Sequence, residues 1–389
     1  MTRLKIPEPV WITTDSDLRA ACQQWLQEPY LALDTEFMRT STFYPQAGLV
    51  QVAGREGCFL IDPLQITDWT PLAELLTHPL VVKVFHACAE DLEVCRCLTG
   101  AMPSPLADTQ LAAALAGLGG SMGFQRVIKE VLEINLPKEE TRSDWLQRPL
   151  RDEQVSYAVA DVHYLYRLYP KLMSLLKQQG RQHWLSEECE RLLVLSEQSD
   201  QHNAYYRRIK LAWKLRPQEL LLLQQLSLWR EKQARQRNVP RGKVVDDNTL
   251  WNIARFKAAT NDQLARAGLK GSAIRNDGKD IIAIVNQVLA LDKKLWPSVL
   301  DKPLTPHAGQ WFKALRDAVN SKAEALQIPP DLLANKKALE ALLRSGYPNG
   351  PYRLPEVLRG WRQAEIGDYL LQLLQELKHQ PVLRNSVDD

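Results

Sequence analysis

Apolar and polar positions follow different periods in the two halves of this chain. Short apolar or β-branched runs predict strands in the first half: Leu31-Ala-Leu-Asp-Thr-Glu-Phe, Leu49-Val-Gln-Val-Ala, Cys58-Phe-Leu-Ile-Asp and Val81-Val-Lys-Val-Phe. Helical spacing of apolar residues predicts helices over 15–27, 72–77, 89–98, 109–118, 124–132 and 152–176. Strands first, with helices alternating and then dominating, predict an α/β domain over roughly residues 1–200.

From about Tyr205 onward the pattern predicts helices alone, over 220–236, 247–257, 262–267 and 274–291, separated by Pro240, Gly242, Gly268 and Gly271. The chain then repeats itself. A shift of 89 positions carries Leu226 onto Leu315, Ala234 onto Ala323, Pro240 onto Pro329, Gly271 onto Gly360 and Gly278 onto Gly367. Turn residues matching in register with helix-core residues predict two copies of a small helical bundle.

Composition narrows the class. With 389 residues, 45% hydrophobic and 24% charged, the chain is globular and long enough for two or three domains. It has no apolar run of the length a spanning helix needs, and Pro7, Pro9 and Asp15 interrupt the stretch where a signal peptide would be continuous. Six cysteines, with Cys95 and Cys97 the only close pair, give neither a zinc spacing nor a disulfide framework, so a cytoplasmic protein with reduced thiols is expected.

The net charge of +3 is a cancellation. Residues 1–200 carry 18 basic against 27 acidic side chains, and residues 201–389 carry 31 against 19. The excess is concentrated further: residues 207–294 hold 19 basic and 8 acidic side chains, whereas 295–389 hold 12 and 11. A basic module points to a polyanion, and an acidic one to carboxylates gathered around metal; drift of solvated surface charge is the other reading. Arg230, Lys232, Arg235, Arg237, Arg241 and Lys243 form the densest basic run, either a polyanion grip or a solvated helix end.

Three acidic signals stand out. Asp34 and Glu36 end an apolar run, and on a strand residues two apart face the same side. Paired carboxylates at the end of a core strand repel each other unless a cation lies between them, although solvated turn acids produce the same pattern. Tyr157 and Asp161, four apart, share a helical face. Asp91 sits where a strand gives way to a helix, either as a ligand or as a first-turn acid favoured by the helix dipole.

Taken in order, Asp34-x-Glu36, Asp91 and Tyr157-x3-Asp161 resemble the three exonuclease motifs of the DEDD superfamily in its tyrosine-bearing branch. Asp34-Thr-Glu-Phe-x-Arg-Thr, Tyr44-Pro-Gln, His86-Ala, Glu90-Asp-Leu-Glu-Val, Asp108-Thr-Gln and Ser143-Asp-Trp-x-x-Arg-Pro-Leu are similar to the bacterial ribonuclease D family in particular. The two repeats resemble HRDC domains, the second departing more from that pattern. The resemblance implies an α/β ribonuclease H-like exonuclease domain over 1–205, a first all-α HRDC bundle over 206–294 and a second HRDC-like bundle over 295–389.

It further implies a 3′-to-5′ hydrolytic exoribonuclease that trims structured RNA such as tRNA precursors and releases nucleoside 5′-monophosphates. Asp34, Glu36, Asp91 and Asp161 would hold two divalent ions, Mg²⁺ or Mn²⁺, and Tyr157 would orient the attacking water or act as base. The expected partner is RNA, with no membrane, and the expected state is a monomer. Expected substrate contacts are Phe37 and His86 at the terminal nucleotide and Arg230, Lys232, Arg235 and Arg237 on the basic repeat; Phe37 and His86 read equally as a core ring and a capping imidazole. A DNA-directed proofreading exonuclease of the same superfamily commonly carries histidine where this chain has Tyr157. A non-catalytic RNA-binding scaffold would have lost one of the five active-site residues, and all five are present.

Overall fold

A computed structural model of the chain describes residues 6–136, 143–198 and 202–379. The outer ends of the expected terminal domains, 1–5 and 380–389, lie outside the described residues. The chain forms two compact units, one made of Met1–Glu36, Gly48–Leu193 and Leu304–Asp389, the other of Phe37–Ala47 and Val194–Pro303.

The first unit is built on a mixed six-stranded sheet of order β1-β4-β3-β2-β5-β6. Its strands are β1 (Val10–Ile12), β2 (Tyr30–Met38), β3 (Gln46–Gly54), β4 (Gly57–Ile61), β5 (Val82–Phe85) and β6 (Leu106–Asp108). β1 runs parallel to β4, β5 is parallel to both β2 and β6, and β3 is antiparallel to β4. The four predicted strands are present; the three-residue β1 and β6 are too short to leave a periodic signal and were not anticipated.

Helices α1 (Asp15–Trp25), α2 (Thr70–Thr77), α3 (Ala89–Thr99), α4 (Thr109–Leu115), α5 (Phe124–Leu132), α6 (Asp152–Gln178) and α7 (Gln182–Gln198) surround the sheet. Strand alternation divides the core. Leu31, Leu33, Val50 and Val52 join one cluster with Leu18, Trp25, Leu72 and Leu92, while Ala32, Leu49 and Ala53 face Ala158, Val159 and Val162 of α6 in another. The alternation that puts Ala32 toward α6 carries Asp34 and Glu36 to that side too.

The second unit contains the first helical bundle: α8 (Pro217–Gln236), α9 (Arg241–Val244), α10 (Asp247–Phe256), α11 (Asn261–Arg266) and α12 (Gly271–Leu289). The Phe37–Ala47 segment is fastened to it. Phe43 lies between the guanidinium groups of Arg235 and Arg241, each 4.7 Å from its ring centroid. Asn238 Oδ1 accepts the backbone N–H groups of Phe43 and Tyr44, both at 3.0 Å.

The second bundle, α13 (Pro306–Leu326), α14 (Pro330–Leu333), α15 (Lys336–Arg344) and α16 (Asp368–His379, entered through a π-turn at Gln363–Gly367), packs within the first unit. Helices α13, α14 and α15 start 89 residues after α8, α9 and α10, in keeping with duplication. The two copies nevertheless have different surroundings. Trp311, Leu315, Leu333 and Trp361 belong to the same apolar cluster as Leu115, Met122 and Trp184 of the exonuclease part. Among the described residues no helix is long and apolar enough to cross a membrane, and the six cysteines form no disulfide.

Candidate active site

The carboxylates converge as strand and helix geometry require. Asp34, Glu36 and Asp161 each offer an oxygen, and the three oxygens lie within 4.8 Å of one another. Asp34 and Glu36 come from β2; Tyr157 and Asp161 come from successive turns of α6, and the phenol hydrogen-bonds to the Asp161 carboxylate. Asp91, in the first turn of α3, stands beside this trio. Thr35, whose side chain alternates away from Asp34 and Glu36, donates its hydroxyl proton to Asp91 Oδ1.

The electrostatics are those of a cation site. Burial is the largest influence on Asp34, followed by Asp91, Asp161 and Glu36, and it holds the carboxyl well above the usual range. Glu36 is pushed up to about 9, first by burial and then by Asp161 and Asp91; every charged neighbour acting on it is another carboxylate. Asp91 rises to about 6, again mainly by burial, with Thr35 working in the opposite direction. Half-buried carboxylates crowded this closely fit a hard divalent cation, which prefers oxygen ligands and supplies the compensating charge.

A pocket of about 160 Å³ opens onto these groups, lined by Asp34, Tyr157 and Asp161 together with His86, Phe124 and Leu136. The His86 nitrogens are already engaged, Nδ1 with Thr109 Oγ1 at 2.9 Å and Nε2 with the Met122 carbonyl at 3.1 Å. Burial lowers its pKa, which favours the neutral ring. What His86 offers the pocket is therefore a ring face, packed edge-on against Phe124 at 5.3 Å. Phe37 is half-buried on β2 next to Glu36.

The sequence carries Thr35 and Asp108 within family-like motifs but gives them, like Phe124, no individual role. Phe124 opens α5 with no chemical marker. Asp108 is buried and accepts the backbone N–H groups of Ala87, Cys88 and Gln110 at 3.2, 2.9 and 2.8 Å, fixing the turn that leads to Asp91. An aspartate directly before a helix start was the available signal.

The four basic residues singled out on the first bundle have separate fates. Arg230 is 4% exposed and donates to Asp247 at 2.7 Å and the Val245 carbonyl at 2.9 Å. Arg237 pairs with Asp277. Arg235 pairs with Glu231 at 3.0 Å while stacking on Phe43. Lys232 and Arg235 also line a groove of about 940 Å³ with Tyr44, Trp229 and Leu291.

Fold and comparison together define the class. A family model described as a 3′-5′ exonuclease matches residues 9–177, an HRDC domain model matches 219–285, and a model of the C-terminal HRDC domain of ribonuclease D matches 306–370. Ribonuclease D of Pseudomonas paraeruginosa is 49% identical over 370 residues, covering 95% of this chain and 98% of that protein. The Escherichia coli protein of the same name is 38% identical over 370 residues, covering 94% and 98%. The crystal structure of Escherichia coli RNase D, described as an exoribonuclease involved in structured RNA processing, superposes with a TM-score of 0.89 at 37% identity, covering 95% of this chain and 99% of that one. The chain belongs to the ribonuclease D family and is a 3′-5′ exoribonuclease.

Proposed function

We propose that this exoribonuclease trims the 3′ ends of structured RNA such as tRNA precursors in the cytoplasm, acting as a monomer and releasing nucleoside 5′-monophosphates. We divide it into an exonuclease domain over 1–205, a first HRDC domain over 206–294 and a second HRDC-like domain over 295–389. The observation that carries the mechanism is the meeting of Asp34, Glu36 and Asp161 oxygens within 4.8 Å, with Asp34 and Asp161 also lining the pocket.

Asp34, Glu36, Asp91 and Asp161 would hold two divalent ions, Mg²⁺ or Mn²⁺. Such ions neutralise phosphate charge, lower the pKa of water and stabilise the leaving 3′ oxygen. Tyr157 is best placed to orient the attacking water. Burial first, and then Asp161, Glu36 and Asp34, hold its phenol well above its ordinary pKa in the metal-free chain, and its hydroxyl would orient the water as a hydrogen-bonding group. Asp161 anchors that phenol.

Phe37 and the ring face of His86 are proposed contacts of the terminal nucleotide, the latter by stacking in a pocket already walled by Phe124. On the first bundle, RNA contact is assigned to Lys232 and Arg235 at the groove. Arg230 and Arg237 serve the bundle through their aspartate partners.

The decisive experiment incubates the full chain with a defined 3′-extended tRNA and Mg²⁺ and resolves products by length and by terminal phosphate. Stepwise shortening with 5′-monophosphate release is expected, and Asp161→Asn should abolish it while leaving RNA binding intact. Retained turnover by that variant, with contaminating nuclease excluded, would overturn the assignment.

A further inference from the structure

The part of the pocket lined by His86 and Phe124 is not bounded by the exonuclease part alone. A loop, residues 116–123, leaves the end of α4; it contains the Met122 carbonyl that accepts from His86 and leads directly into Phe124. That carbonyl also accepts from Gln110 Nε2 at 3.0 Å. The loop lies directly on the second helical bundle. A Cβ on Gly120 would meet Pro329 Cγ at 2.8 Å, and one on Gly117, which has a φ of +85°, would meet the Gln327 carbonyl oxygen at 3.2 Å. A methyl at Gly120 would force Pro329 or the loop to shift, and one at Gly117 would be strained by its backbone conformation as well as tight against Gln327.

A single guanidinium ties the two sides together. Arg181 Nη1 donates to the Leu115 carbonyl at 2.7 Å, at the end of α4, and Nη2 donates to the Leu326 carbonyl at 2.8 Å, at the end of α13. Two helix C-termini thus converge on one cation, where their dipoles favour positive charge.

We propose that the Leu326–Pro329 turn of the second bundle is a positioning element of the exonuclease site. By abutting Gly117 and Gly120 it sets the path of the 116–123 loop, and through Met122 and Phe124 it sets the wall against which the terminal nucleotide rests. This rests on reading the pocket as the seat of that nucleotide. It gives the second bundle a role in turnover separate from any grip on RNA, and its near balance of 12 basic and 11 acidic residues over 295–389 accords with that role.

The test is a double-mutant cycle in the full chain. Gly120→Ala places a methyl against Pro329, and the displaced loop should lower kcat about 10- to 100-fold, the range expected when a reacting group is misplaced by about 1 Å. The KM for a long 3′-extended RNA should stay within about twofold, because the loop reaches the chemistry and not the distant RNA contacts. Pro329→Ala removes the Cγ that the new methyl would strike. The double variant should therefore recover most of the lost kcat per folded enzyme; the folded fraction, read by tryptophan fluorescence, should be near complete in every variant, which separates the effect from a general loss of stability. Pro329→Ala alone should lower kcat several-fold, and it carries the test if Gly120→Ala does not fold.

Unchanged kcat in the Gly120→Ala and Pro329→Ala single variants, or strictly multiplicative losses in the double one, would overturn the proposal. Asp161→Asn serves as the control. If it too retains activity, the reading of the pocket has failed; if it is inactive while both single variants turn over normally, only the role of the turn has failed.

Discussion

Thr35, the residue between Asp34 and Glu36, donates its hydroxyl proton to Asp91 and so links the strand acids to the acid of α3. The contact favours the ionised form of Asp91 against the burial that raises it to about 6. Thr35→Val keeps the shape and removes the donor. One such bond to a charged group contributes roughly 1.5–3 kcal/mol. The expected result is a tenfold or greater rise in the Mn²⁺ concentration giving half-maximal activity at neutral pH, with partial recovery at higher pH. A metal titration of activity at two pH values checks it, and an unchanged midpoint would remove Thr35 from the site.

The crowded carboxylates also predict how metal and pH act on stability. Glu36 has an ordinary value of 4.5 and is held at about 9 in the folded chain. For an acid whose folded pKa is raised, ionisation costs stability; the cost is absent below the unfolded value and grows as pH rises toward the folded one. The metal-free chain should therefore lose stability between about pH 4.5 and 9 at this group. A bound divalent ion offsets that cost, so the rise in Tm caused by Mg²⁺ should be small near the lower limit and largest near the upper. Calorimetry with Mg²⁺ and with chelator across this window measures it. A metal-induced shift that does not change with pH would contradict the cation site.

The clustered acids of β2 and α6 were legible because their relationships are local. Asp34 and Glu36 need only the two-residue period of a strand, and Tyr157 and Asp161 only the turn of a helix. The basic run was harder to read, since sequence gives the charges but not their partners. Arg230, Arg235 and Arg237 read alike as a polyanion surface, yet Asp247, Glu231 and Asp277, up to 40 positions away, engage them. Equally hidden was the company kept by the second bundle. Trp311, Leu315 and Trp361 look like the core of a separate module, and nothing in their spacing tells that they pack with Trp184 and Leu115. Gly117 and Gly120 read as an ordinary turn until the residues opposite them are known.

That packing contains a buried ion pair whose removal has a defined signature. Arg362 donates to both Glu188 oxygens, to Oε2 at 2.7 Å, and also to the Leu332 and Leu333 carbonyls. Trp361 Nε1 donates to the same glutamate at 2.9 Å and stacks on Trp184 with ring centroids 4.3 Å apart. Arg362→Met leaves Glu188 buried with only the longer Arg191 pair, 3.9 Å away, and should cost up to about 3–5 kcal/mol. Replacing both, as in Glu188→Leu with Arg362→Met, removes the orphaned charge and should recover most of that loss. Urea unfolding followed by tryptophan fluorescence reads both. Equal destabilisation of the single and double variants would mean that the pair contributes through packing alone.

Lys232 provides the test of the groove proposed to contact RNA, because it lines that groove whereas Arg230 is buried against Asp247. A lysine that neutralises one phosphate of a single strand releases condensed counterions, and its loss reduces the slope of log affinity against log salt by about 0.7. Lys232→Ala, placed in the inactive Asp161→Asn chain, should weaken binding of 3′-extended RNA several-fold at low salt and flatten the salt dependence by that amount. Arg230→Ala should instead lower the Tm of the bundle, since it leaves the Val245 carbonyl and Asp247 without their donor. Trp229, in the same groove, should weaken binding when changed to alanine without altering the salt slope, because stacking moves no counterions. Filter binding over a salt series separates the three. An unchanged slope for Lys232→Ala would place the phosphate contacts of the basic bundle outside this groove.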